Sequence, residues 1–243
     1  MQPYLRTLIL VLGILIGIVL LGGAYNYKFK TRNTVGVVGS SEHNFTSDLI
    51  VWGAAFTRTS FEPRDAYTSL KADEQAVRNY LQSRGIPAGE TVFSSIVIDK
   101  QYSSNYDAEG RSIGQTFNGY QLRQSVTVNS KSIEKVEKIS REITELLQSG
   151  IELSSQEPLY YYTKLSDLKI NLLAKAAADA HNRAETIAEN AKSDLGELRR
   201  ATMGVFQITG QYTDEDYSYG GAFNTTSKNK TAKITVRLEY ELN

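Results

Sequence analysis

The side chains that most often carry chemistry are sparse in this sequence. Cysteine is absent, which removes disulfides, thiolate metal sites, cysteine nucleophiles and a lipid-modified cysteine together. The two histidines, His43 and His181, lie far apart and share no ligand spacing. A closed metal site needs three or four ligands, so each reads as a surface or capping residue. Asp214, Asp216, Ser218 and Gly220 echo the opening of a calcium loop. The position of its closing bidentate glutamate holds Thr225, and the segment reads as an acidic turn. No glycine-rich loop has phosphate-cradling spacing, and no G-x-S-x-G elbow occurs. A carboxylate pair for glycoside chemistry needs only to meet in space, and nothing in the sequence singles one out. Asn44, Asn224 and Asn229 head glycosylation sequons, a pattern short enough to arise by accident. These observations predict no catalytic residues, no cofactor and no metal.

The chemistry that remains is recognition. Two polar, glycine-containing connections, Tyr102 to Asn118 and Gly210 to Asn229, are longer than hairpins between neighbouring strands require. They carry Tyr102, Tyr106, Phe117, Tyr212, Tyr217, Tyr219 and Phe223. An aromatic ring offers a large contact area at low entropic cost. These seven are the candidate interaction residues, and the alternative is a pair of floppy surface loops with tyrosine as filler.

The elements that must present such loops begin with an apolar segment. Between Arg6 and Lys28 lie 21 uncharged residues, and Leu8 to Leu21 is apolar apart from two glycines. A helix of that composition is what a bilayer accepts and a water-facing surface does not. The reading is a membrane anchor at 1–27, a basic linker at 28–34 and one folded domain at 35–243. The competing reading is a signal peptide cut near Gly22-Gly23-Ala24, with Arg6 as its basic start. Lys28, Lys30 and Arg32 after the span outweigh Arg6 and argue locally for a cytoplasmic body, although long domains cross despite such charges. Net charge is zero, but the first 41 residues hold four bases and no acid, leaving 23 bases against 27 acids. A slightly acidic body with scattered bases lacks the clustered cations that phosphate backbones need, which excludes nucleic acid as a partner.

In the body, Val35 to Val38 and Asp48 to Thr57 read as strands, the second apolar on both faces and so central. A helix opens at Pro63 and stops at Gly85. Val92 to Ile98 is strand-like. In the next strand Tyr120, Leu122, Gln124, Val126 and Val128 share one face. Ile133, Val136, Ile139, Ile143, Leu146 and Leu147 form a helical stripe, with Ser130 or Ser132 as cap and Gly150 as stop. After a strand within Ile151 to Tyr162 comes the longest helix, whose stripe runs Leu165, Leu168, Leu172, Ala176, Ala180, Ala184, Ile187, Ala188 and Ala191 up to Gly196. Its small residues permit close approach to a sheet or another helix. Thr202 to Thr209 and the alternating Lys230 to Leu242 close the chain. The predicted class is α+β, a mixed or antiparallel sheet with about three helices in the order ββαββαβαββ.

Several of these segments together resemble the SIMPL domain family of bacterial envelope proteins. They are Val35-Gly36-Val37-Val38-Gly39-Ser40 with Asp48 and its strand, Gly119-Tyr120 opening GYQLRQSVTV, the alanine-paced helix, and the closing KITVRLEYEL. The resemblance spans nearly all of Val35 to Leu242. It implies an envelope-located α+β domain with no catalytic residues to carry over, ring-like or channel-like homo-oligomers in some relatives, and protection against oxidative stress in others. It tips the orientation toward the periplasm. The expectation is a single-pass inner-membrane protein, held by Leu8 to Leu21, that is not an enzyme and works by homo-oligomeric assembly. The alternatives are an adaptor that captures an envelope protein through a sheet edge or the tyrosine-rich loops, a form secreted to the periplasm after cleavage and, third, an enzyme.

Overall fold

The computed structural model describes residues 3–29, 33–216 and 218–243. Tyr217, Lys30 and Arg32 therefore lie outside the described residues, as do the side chains of Arg6 and Lys28. Helix α1 spans Pro3–Phe29. It is followed by β1 (Thr34–Thr46), β2 (Leu49–Ser60), α2 (Pro63–Ser83), β3 (Thr91–Phe93), β4 (Val97–Tyr106) and β5 (Ser112–Ser130). Then come α3 (Ile133–Glu142), β6 (Glu152–Ser155), β7 (Leu159–Tyr161), α4 (Leu165–Asn190), β8 (Leu195–Met203), β9 (Gln207–Gly210) and β10 (Asn229–Leu242).

The chain divides into two compact units, one of residues 42–172 and 205–234, the other of 1–41, 173–204 and 235–243. The larger is built on a six-stranded sheet in the order β3-β5-β2-β6, with β4 also on β5 and β7 also on β2. Every ladder in it is antiparallel. The central pair holds its register from Ile50 opposite Ser130 to Ser60 opposite Tyr120. Because side chains alternate along a strand, Ile50, Trp52, Ala54 and Phe56 face inward beside Leu122, Val126 and Val128. Pro63 stands in the first turn of α2, and Ala66, Leu70, Asp73, Val77 and Leu81 form its buried face. Val136, Ile139 and Ile143 complete the core.

Two polar contacts secure that core. The buried Trp52 indole donates to Ser155 Oγ at 3.0 Å, and that hydroxyl donates to Ser140 O at 2.8 Å, so neither of these two donors is left idle. Asp73, 4% exposed, takes both arms of the Arg58 guanidinium at 2.5 and 2.8 Å. The bond to Asp73 pushes the Arg58 pKa up.

In the smaller unit, β10 lies between β1 and β8. Leu242 N donates to Asn33 O at 2.9 Å and Thr34 Oγ1 to Glu239 at 3.1 Å, while Val236 faces Met203 across the β8 ladder. Val35, Val37, Val236, Leu238 and Tyr240 are buried, as are Ala176, Ala180, Ala184 and Ala188 of α4. The predicted close approach is realised at Gly39. A Cβ there would sit 2.3 Å from Ala176 O and 2.3 Å from Ala180 N, both backbone atoms that no side-chain rotation can remove. At the edge of β1, Ser40 N donates to Asp179 at 2.8 Å. That bond, with help from Arg183, holds the Asp179 carboxyl below the usual range.

The element order after α1 is ββαβββαββαβββ, three strands richer than predicted. Val92 to Ile98 is two strands broken by Ser94–Ile96, and Ile151 to Tyr162 is likewise β6 and β7. Thr202 to Thr209 is the end of β8 and the start of β9, parted at 204–206, and Gly196 lies inside β8 because α4 ends at Asn190. The α4 stripe is narrower than predicted, since Ile187 is 47% exposed and Ala191 is exposed. α3 passes into a 3-10 turn, Ile143–Ser149, that ends at left-handed Gly150. Ser132 takes the N-cap position without a side-chain capping bond, while Ser130 Oγ accepts from Ser132 N at 3.0 Å.

On α1 the side chains described are Leu8 and those of residues 10–25. The large apolar ones, from Leu8 to Leu21, stand exposed around the whole helix. At 1.5 Å per residue, 10–25 reaches only about 24 Å of a hydrocarbon layer of ~30 Å. Among the described residues no helix is long and apolar enough to cross a membrane.

Candidate functional site

The segment Tyr102 to Asn118, expected as a loop, is a β-ribbon. Pairing of β5 with β2 stops at Tyr120, but β5 stays paired with β4 out to Tyr106 opposite Ser112. The result is a two-stranded arm leaving the six-stranded sheet. Its closing turn is tightly bonded: Asp107 N donates to Arg111 O at 2.9 Å and Gly110 N to Asp107 O at 3.0 Å. The Asp107 carboxylate accepts from Arg111 N at 2.8 Å and Arg111 Nε at 2.9 Å. Gly119 sits where the arm departs. Its φ of 113° is strained for any side chain, and a Cβ there would lie 2.7 Å from Ser60 O, so only glycine fits the branch point.

The arm is exposed on both faces along nearly all of its length. Tyr102, Tyr106 and Ile113 are more than half exposed. At its base four rings meet edge to face: Phe117 lies 5.5 Å from Tyr102, 5.2 Å from Tyr120 and 6.2 Å from Phe61. Two predicted residues, Tyr102 and Phe117, are thus brought together, with Tyr106 nearer the tip. Phe61 and Tyr120 join the cluster without having been predicted for it. An aromatic residue between a strand end and Pro63, in an otherwise polar turn, was the available signal for Phe61.

Of the second predicted segment, Gly210 to Asn229, the two end residues belong to β9 and β10, and 211–216 and 218–228 form a loop as expected, held by two polar side chains. Gln207 Nε2 donates to Ser218 O at 2.8 Å, while its Oε1 accepts from Ala222 N at 2.7 Å. Asn224 bonds Glu215, accepts from Ser227 N at 2.8 Å, and receives Lys230 Nζ on its backbone oxygen at 2.7 Å. Burial pushes the Lys230 ammonium down to about 8, against the attraction of Glu215. Tyr212, at φ 61°, and Tyr219 stand fully in solvent, and Phe223 bridges Ile208 with half its surface exposed. Rings so placed offer contact area to a partner and contribute little to the core.

Among the described residues the reactive groups are not brought together in a comparable way. His181 Nδ1 lies 3.1 Å from Tyr240 OH, and His43 is exposed. Among the described residues no group of three or more metal-ligating side chains is assembled. Burial pushes the Asp48 carboxyl up, but two bonds from Thr163 outweigh this and hold it low. Glu74 is held low by Lys71, with Arg78 assisting. Both shifts run opposite to what a general acid near neutral pH needs.

The model of the SIMPL family, described as a protein of unknown function (DUF541), matches residues 35–240. No curated protein matches the chain.

Proposed function

The chain belongs to the SIMPL family, and on that premise we propose that it is a non-catalytic, membrane-anchored envelope protein that works by assembling with copies of itself. One observation carries the assembly reading: the β4–β5 arm, exposed on both faces and founded on an aromatic cluster. A two-stranded ribbon in water is marginal alone, and a ribbon displaying Tyr102, Tyr106 and Ile113 gains stability when a second surface covers them. In the full-length chain, the anchor takes α1 over its whole 27 residues, about 40 Å of helix, with uncharged sequence from residue 7 to residue 27. The body lies on the periplasmic side, as the family resemblance implies. A role in envelope or oxidative stress rests on that resemblance alone.

The test is the mass of the detergent-solubilised full chain, with detergent subtracted. A defined multimer at micromolar concentration is expected, and replacing 103–115 by a two-residue Asn-Gly turn should lower its order while leaving the unfolding midpoint within a few degrees. A wild-type monomer ends the assembly reading.

A second reading, capture of another protein by strand addition, is favoured by β8. It lies at the end of its sheet order and is exposed on both faces from Glu197 to Met203.

A further inference from the structure

On the outward face of the β1, β10 and β8 sheet lies a groove of about 530 Å³, lined by Gly36, Val38, Arg237, Glu239, Arg200 and Thr202. Register explains the grouping, because Arg237 lies opposite Thr202 and Glu239 opposite Arg200. Side chains two residues apart share a face, so Arg200 and Arg237 project diagonally across the ladder on the same side. Such diagonal neighbours lie within reach of one long-armed contact.

Neither guanidinium group makes a hydrogen bond or an ion pair within 4 Å among the described residues. Glu239, the acid best placed to neutralise them, is engaged at 3.1 Å by the Thr34 hydroxyl. Arg199, next to Arg200 in sequence, holds Glu241. Across the groove Gly36 contributes no side chain, and a Cβ built on it would meet nothing within 4 Å. The site therefore combines two planar donor forks that hold no hydrogen bond, one acid that keeps its charge while accepting from Thr34, and an open floor. Guanidinium forks match tetrahedral and planar oxyanions, and phosphate in particular.

The source of the phosphate follows from chain connectivity. Gly36 is seven residues beyond Phe29, the last residue of α1, and seven residues span at most about 25 Å. With α1 in a bilayer, the start of β1 cannot leave the neighbourhood of the headgroup layer. We propose that Arg200 and Arg237 form a receptor for the phosphate of an anionic lipid headgroup. This inference rests on the anchored reading of α1.

The experiment uses full-length protein in uncharged maltoside micelles, titrated by calorimetry with short-chain phosphatidylglycerol, short-chain phosphatidylcholine or inorganic phosphate. Saturable binding of phosphatidylglycerol is expected, and R200Q/R237Q should weaken it at least about tenfold, since each lost charged hydrogen bond is of that size. R199Q removes a neighbouring charge and should change affinity less than about twofold. Because neither Arg200 nor Arg237 holds a structural bond, the double variant should unfold at the wild-type temperature. The proposal is overturned if phosphatidylcholine binds as well as phosphatidylglycerol, if R199Q weakens binding as much as the double variant, or if the double variant binds normally. Equal binding of inorganic phosphate would make this a free-phosphate site and overturn the lipid assignment. Flotation of the chain with pure phosphatidylcholine vesicles tests the anchor separately, so failure there is distinguishable from failure at the groove.

Discussion

At the scale of single residues, two glycines of the family-like segments have separate steric reasons. Gly39 is fixed by what touches it, since the backbone of α4 occupies the space a side chain would need, with Ala176 O and Ala180 N at 2.3 Å from a built Cβ. Gly39→Ala must push helix from strand, and the expected loss is about 3 kcal/mol. Gly36→Ala, on the open face of the same strand, should cost less than about 0.5 kcal/mol. Denaturant unfolding of the two variants checks the contrast, and equal losses would disprove the close approach. Lys230 gives a pH signature. Its ammonium is held at about 8 in the fold against about 10.4 in an open chain, so between those values the unfolded state binds more protons. Stability from this group therefore rises with pH across roughly 8 to 10.4, by up to about 3 kcal/mol, and the penalty is fully present below 8. Lys230→Met should flatten that rise, and unfolding free energies of both proteins at pH 7.5, 9 and 10 measure it.

At the scale of elements, the parts readable from sequence are those whose two sides meet different surroundings. The alternation in Tyr120 to Val128 marks a strand with a core on one side, and the spacing of Val136, Ile139 and Ile143 marks a helix over the same core. The β4–β5 arm was missed because solvent lies on both of its faces, so Ser103, Ser104, Asn105, Gln115 and Thr116 show no burial period to read. β8 was misplaced for a related reason: as an outer strand it keeps Glu197, Arg199 and Arg200 beside Leu198 without a dry side to sort them. The α4 stripe was read too wide because Ile187 has the right type and spacing, yet only the row Leu172, Ala176, Ala180, Ala184 and Ala188 is buried. Half of the candidate site was legible, since tyrosine-rich segments can be recognised by composition, but the meeting of Phe61 with Phe117 depends on tertiary pairing. That meeting makes the arm an element with its own stability. Phe117→Ala removes the ring shared by three edge-to-face contacts, worth about 1.5–4.5 kcal/mol together. Amide hydrogen exchange should accelerate from Tyr102 to Thr116 by about tenfold or more, while the inner amides of β2 keep wild-type rates. Uniform acceleration across both would mean that arm and sheet open as one unit.

At the scale of the whole molecule, the proposed anchoring and the proposed assembly would reinforce each other. Confining copies to a membrane plane would raise their effective concentration, so that a weak contact through the arm would suffice where it fails in bulk solution. That coupling depends on α1 residing in lipid, which a buried charge can test. Leu15 lies near the middle of Pro3–Phe29 and is exposed on the helix surface. A lysine at the centre of a spanning helix costs about 2.5–3.5 kcal/mol on insertion scales, and two on one turn cost more than snorkelling can relieve. The double variant L15K/V19K should therefore be extracted from membranes by alkaline carbonate, whereas the wild-type chain stays in the pellet. α1 and the six-stranded sheet belong to different compact units, so extracted protein should keep the wild-type hydrogen-exchange protection of β2 and β5 while losing its multimeric mass at nanomolar concentration. Release together with full retention of the multimer would mean that the arm contact is strong enough without the membrane. A wild-type chain that washes off with carbonate would remove the anchor and the advantage derived from it.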